Sequence, residues 1–190
     1  PALQGNAMIN GKAIDYNLLL FNGDQSDTNP FEEDNNTGKA VTFRSRYNAT
    51  DDLQIGYSLY YDVGLSSDVM SHGVQFEYTY DDFRLLGEGV WGDIDSSSSA
   101  ADLNHFGWFI QPSYSFDNGL TPYFRFEHYD PNTDISEDHG FDAVLGVNFN
   151  FNGLIFKLEN NYFFGADNST LGTLPGNGYN EIKGAIVVGF

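Results

Sequence analysis

The chain has 190 residues, 27 acidic against 8 basic, a formal net charge of −19 and no Cys. Nothing in so acidic a chain could neutralise a phosphate backbone, which excludes nucleic acid as a partner. The absent Cys excludes a disulfide framework and a thiolate metal site. The aromatic share of 16%, with 17 Phe and 12 Tyr, excludes an acidic disordered chain. No stretch approaches 20 apolar residues, so no transmembrane helix is predicted. The mean hydropathy of −0.36 has a soluble look. A membrane β-barrel, however, hides its apolar residues at every second position, and a mean value misses it. The chain opens on Pro1 without a signal peptide, which reads as a processed or truncated chain.

Period-two alternation runs through almost the whole sequence. Residues 3–9 form a candidate strand leading into Asn10-Gly11, a strong hairpin signal. Ten firmer strands follow at 12–22, 39–49, 53–62, 73–80, 83–92, 105–116, 120–129, 140–150, 154–164 and 181–190. Short connections fall at 50–52, 81–82, 117–119 and 152–153. Long ones, rich in Asp, Asn, Ser and Gly, fall at 23–38, 63–72, 93–104, 130–139 and 165–180. Short turns at one end and long polar loops at the other are the pattern of an outer-membrane barrel. No domain boundary interrupts residues 1–190. The expected fold is all-β: one antiparallel transmembrane β-barrel with ten to eleven strands in this chain.

The strands have two unlike faces. In 53–62, Leu53, Ile55, Tyr57 and Leu59 oppose Gln54, Gly56, Ser58, Tyr60 and Asp62. In 120–129, Leu120, Pro122, Phe124 and Phe126 oppose Tyr123, Arg125 and Glu127. A soluble barrel would give the same alternation with its apolar face inside. Two features favour the inverted sense. Apolar-face aromatics (Tyr47, Tyr61, Tyr80, Phe83, Trp91, Tyr114, Phe116, Tyr162) gather near strand ends, as in an interfacial girdle. The charges on the polar face are matched in sign, as an enclosed lumen requires.

Those charges are the candidate functional residues. Arg44, Arg46, Arg84, Arg125, Lys157 and Lys183 fall on polar faces, with Asp15, Asp62, Glu77, Glu88, Glu127, Asp142 and Glu159. Most of the excess negative charge therefore lies at the strand ends and in the loops. Two readings stay open together. One is a structural network bracing the wall. The other is a pore lining whose charged constriction selects ions, carried by the six bases with Glu77, Glu88, Glu127 and Glu159.

The acidic stretches DQSDTNPFEEDNN and DPNTDISEDHGFD lack EF-hand spacing and read first as solvated surface. Weak divalent-cation bridging to lipopolysaccharide or a partner is the other reading. No metal site and no cofactor are expected. His72, His105, His128 and His139 fall at strand ends or loop borders on the long-loop side. A catalytic arrangement of His128 or His139 with Asp138 is the weaker reading there, and no nucleophile-elbow motif appears. The chain is read as a non-enzyme.

The terminal IKGAIVVGF, alternating and closing on Phe190, resembles the assembly signal of bacterial outer-membrane barrels. In that group, the resemblance implies, the barrel-insertion machinery reads Phe190. INGKAIDYNLLLFNGD and GKAVTFRSRYNATDDLQIGYSLYYD resemble the phosphate-selective type of porin, and residues 105–190 match only generally. The resemblance implies a sixteen-stranded porin, a homotrimer and a place in the outer membrane among lipid and lipopolysaccharide. This chain would then be its C-terminal portion. Phosphate selectivity in that type rests on rows of lumen Arg and Lys, and the four arginines here are few and matched by Glu. The first function expected is passive diffusion of ions and small hydrophilic solutes. The alternative is a small closed barrel with a structural, adhesive or scaffold role, its acidic loops holding a partner.

Overall fold

The structure is a computed structural model. It describes residues 2–9, 11–22, 38–64, 67–96, 102–136, 138–165 and 178–188. Phe190, the stretch DQSDTNPFEEDNN and most of the 165–180 connection lie outside the described residues.

Eleven strands follow one another in the chain: β1 (Ala2–Ile9), β2 (Lys12–Asn22), β3 (Lys39–Asn48), β4 (Leu53–Val63), β5 (Ser67–Tyr80) and β6 (Phe83–Ser96). Then come β7 (Leu103–Tyr114), β8 (Leu120–Asp130), β9 (Gly140–Phe151), β10 (Leu154–Gly165) and β11 (Tyr179–Val188). They form one sheet in sequence order, each antiparallel to its neighbours. Residues 2–9 are thus a strand, paired with β2 from Ala2 opposite Leu19 to Ile9 opposite Lys12. Among the described residues β1 and β11 are the free edges of the sheet. With an odd count they run in the same direction, so neither can close antiparallel on the other.

The tight turns have their expected chemistry. Asn152 and Gly153 both take positive φ, 51° and 83°, the requirement of a two-residue type I′ hairpin. Gly119 has φ 83°, and a Cβ there would run into the Asn150 carbonyl.

Two strands are longer than the sequence suggested. β5 begins at Ser67 and β6 runs on to Ser96, paired over Ser67–Ser96, Asp68–Asp95 and Met70–Asp93. The expected long loop at 63–72 is therefore a link of three residues, 64–66. His72 sits well inside β5, not at a loop border. Asp, Ser and His mask the strand signal there, while the ladder continues regardless of side-chain polarity.

Register fixes the faces. Across β3, β4 and β5, Tyr47, Ile55 and Phe76 form one row and Phe43, Leu59 and His72 another. From β8 to β10, Phe124–Leu145 and Phe149–Phe156 continue the same face. These side chains point away from the protein: Leu145 is 68% exposed and Ile182 72%. A soluble monomer rarely shows an apolar patch beyond a few hundred Å²; here the apolar face spans the whole sheet. Aromatics border it at both ends. Tyr114 and Phe116 meet edge to face at 5.0 Å on the short-turn side. On the other side His72 stacks on Trp91 at 5.6 Å, and Phe141 on Phe164 at 5.5 Å. On β10 the apolar side runs from Leu154 to Phe164. At about 3.4 Å per residue and a tilt of about 40°, it rises about 25 Å, the height of a lipid-facing belt.

The opposite face is the inner, concave one. Ser71 on β5 reaches His105 on β7 at 3.1 Å, across the whole of β6. Two strands span about 9.6 Å, so such short side chains meet only where they converge. Fully shielded residues on this side include Asp62, Asp142 and Asn161 beside Ala40, Tyr123 and Val144. The molecule is inverted: its shielded side is polar and its exposed side apolar.

Leu145→Arg on the outer face should lower unfolding free energy in lipid by about 2–4 kcal/mol. Gln111→Arg on the inner face should change it by less than about 1 kcal/mol. Urea titration of the protein in liposomes checks both, and equal losses would contradict the facing.

Candidate functional site: the charged inner face

The inner face is built in cross-strand rows. One row carries Asp15, Arg46, Gly56, Gln75, Glu88, Phe109, Glu127 and Asp142, from β2 to β9. The row toward the short turns in β8–β11 reads Tyr123, Gly146, Glu159 and Lys183. Arg44, Arg46, Arg84, Arg125, Lys157, Lys183, Glu77, Glu88, Glu127 and Glu159 all lie on this one face. So do Asp15, Asp62 and Asp142, and Glu181, which the sequence reading did not single out. Register alone places them, because each is an even number of residues from its neighbours on the strand.

Most of the bases have a local partner. Arg84 Nε donates to Glu77 Oε1 at 2.8 Å across the β5–β6 hairpin. Arg125 pairs with Glu127, two residues on along β8. Lys183 Nζ pairs with Glu181 Oε2 at 3.0 Å along β11. Arg44 donates to Gln75 Oε1 at 3.3 Å, passing over β4. The pairs stay partly wet; the Arg84 and Glu77 side chains are 49% and 37% exposed. Such pairs stabilise by only about 0–1 kcal/mol. Their larger effect is to set the field inside the barrel. Six bases face eight acids there, so the face is close to balanced although the chain carries −19.

Missing side chains let distant ones meet. Gly146 on β9 lies under the Tyr123 ring, which crosses it so that the hydroxyl donates to Glu159 on β10. A Cβ at Gly146 would overlap that ring. Gly92 on β6 is the register partner of both Ser71 and His105, and its bare position is the gap that their hydrogen bond spans. Nothing in the period-two pattern revealed these bridges; only the register brings the glycines under them. Tyr60 donates to Asp62 Oδ2 at 2.9 Å. The oxygens Asp62 Oδ1, Asp142 Oδ1 and Asn161 Oδ1 are shielded without a hydrogen-bond partner among the described residues.

The histidines part company. His105 belongs to the inner face. His72 and His128 lie in the outer girdle, where His128 packs against Phe141 at 4.9 Å and His139 at 5.7 Å. The described part of DPNTDISEDHGFD is a self-capped turn: Asn132 N donates to Asp130 Oδ1, Asp134 N to Asn132 Oδ1, and Asn104 Nδ2 to Asp134 Oδ2. Among the described residues, no group of three or more His, Asp or Glu is placed to hold a metal ion.

An apolar outer belt, a charged inner face and an antiparallel ladder through all eleven strands, broken only beside Pro112 between β7 and β8, define the wall of an outer-membrane-type β-barrel. Two solved structures of OmpT, an outer membrane protein of Vibrio cholerae folded in vitro, share this fold. The one in its trimer form gives a TM-score of 0.60 at 15% identity. The other gives 0.62 at 14%. Each match covers 98% of this chain and 60% of the solved chain, so this chain spans about three-fifths of their length. No protein-family model and no curated protein matches the sequence.

Gly92→Ala should destabilise the barrel by about 1–3 kcal/mol, as overpacking does. Its Cβ would meet the Met70 carbonyl oxygen and lie 2.8 Å from the Ser71 Cα, and backbone does not yield. Gly89→Ala on the same strand meets nothing within 4 Å and should stay within about 0.5 kcal/mol. Chemical unfolding of the two variants side by side checks the contrast.

Proposed function

We propose that this chain is the wall of a porin in the bacterial outer membrane, passing ions and small hydrophilic solutes without catalysis. One observation carries the reading: the inner face is charged, sign-balanced and partly wet, while the outer face is predominantly apolar. The non-catalytic reading is supported by the placement of His72 and His128 among girdle aromatics, away from the inner face.

Phosphate selectivity finds little support in the lining. Three of its six bases (Arg84, Arg125 and Lys183) are held by carboxylates. Mixed charge suits a weakly selective pore better than an anion filter. The two unpaired edges also bear on size. In a bilayer, unpaired N–H and C=O groups along β1 and β11 would cost several kcal/mol each. An even-stranded antiparallel barrel needs an odd number of further strands between them, whichever segment supplies these. A sixteen-stranded wall meets that condition. A homotrimer in lipid and lipopolysaccharide is the assembly proposed with it.

Planar-bilayer recording tests the function. Purified protein should give stepwise openings, and a salt gradient should give a reversal potential of only a few millivolts, on the order expected for a sign-balanced lumen. Glu77→Gln, which frees Arg84, should move that potential toward anion preference. A folded protein that gives no openings would overturn the porin reading.

A further inference from the structure

A groove of about 410 Å³ lies on the inner face over β2–β6. This is within the range of roughly 300–1,000 Å³ typical of small-molecule sites. Asn17, Arg44, Ser58 and Gly73 form one cross-strand row along it. Thr42 and Tyr60 come from the next row toward the long loops. Leu19 and Val90 close its two sides.

The polar groups of this groove have hydrogen-bonding capacity to spare. Asn17, Thr42 and Ser58 make no side-chain hydrogen bond among the described residues. Arg44 uses one donor on Gln75, and a guanidinium has five. Gly73 keeps the middle open: a Cβ there would lie 2.5 Å from Ser58 Oγ. The Tyr60 hydroxyl is taken by Asp62, which leaves its ring as an apolar surface beside Leu19 and Val90.

Charge decides what such a groove takes. Arg44 is cationic, but Asp62 binds Tyr60 at one side of the groove, and Glu88 Oε1 lies 3.8 Å from the vacant Cβ position of Gly73. A bare anion would meet these carboxylates, and a bare cation would meet Arg44. A neutral ring bearing many hydroxyls meets neither penalty. Its hydroxyls can both donate and accept, matching an amide, two hydroxyls and a guanidinium fork. Its C–H faces match Leu19, Val90 and the Tyr60 ring. We propose that this groove is a binding subsite for neutral saccharides of one or two rings. The inference rests on the porin reading and names a solute class for it.

Saturation-transfer NMR of the refolded full chain in detergent, with maltose as probe, tests it without reference to current. Saturable transfer to maltose is expected. Thr42→Val with Ser58→Ala should weaken it at least about five-fold, through the loss of two hydrogen bonds to the sugar. Asn17→Leu, made separately, should do the same. Heat-modified gel mobility identifies folded variants. No saturable transfer to maltose, transfer unchanged in all these variants, or saturable transfer to gluconate in place of maltose would overturn the subsite. Conductance without maltose binding would sink the subsite and leave the pore. Maltose binding in a protein that never conducts would support the subsite and sink the pore.

Discussion

Every backbone N–H and C=O that enters lipid must find its partner within the protein, and the rest of this structure depends on that constraint. An antiparallel meander satisfies it strand by strand, with neighbouring strands paired from β1 to β11 and a local gap beside Pro112 between β7 and β8. Once the ladder is made, each residue has only two directions to point. The alternation of the sequence then sorts lipid from water. Leu145 and Ile182 stand exposed on one side, while Asp62 and Asp142 are shielded on the other. Among the described residues only Ala40, Tyr123 and Val144 are buried hydrophobics, because most of the apolar surface faces lipid and not the protein interior.

The inner face follows from the same geometry. Its side chains converge, so residues two strands apart come into contact. Glycine at the intervening position decides which of them do. Gly146 lets Tyr123 reach Glu159, and Gly92 lets Ser71 reach His105. Elsewhere local ion pairs neutralise the charges brought together. Each pair stabilises little, yet together they keep the lumen near neutral in a strongly acidic chain. That balance is what the proposed passive, weakly selective passage rests on.

Much of this was legible in the sequence. Period two gave the faces of β3, β4, β8 and β10, because their outer positions are mostly apolar, with single polar exceptions such as Ser45 and Asn160. Asn152-Gly153 marked its hairpin through the one turn type that demands positive φ twice. The upper parts of β5 and β6 were not legible. Asp68, Ser71, His72, Asp93 and Asp95 read as loop, since hydropathy reports lipid contact and the ladder continues past the lipid. The groove over β2–β6 was hidden for another reason. It joins side chains from separate strands, and only the register brings Asn17, Arg44 and Ser58 into one row.

The inverted facing is the central claim, and the chain's lack of Cys makes it directly measurable. Single cysteines would be placed at Val74, Gln75, Phe76, Glu77 and Tyr78 on β5. Each protein, in proteoliposomes, would be treated with a water-soluble, membrane-impermeant maleimide. Fast labelling at positions 75 and 77, with protection at 74, 76 and 78, is the predicted result. Labelling in the opposite alternation, or with no alternation, would contradict the account.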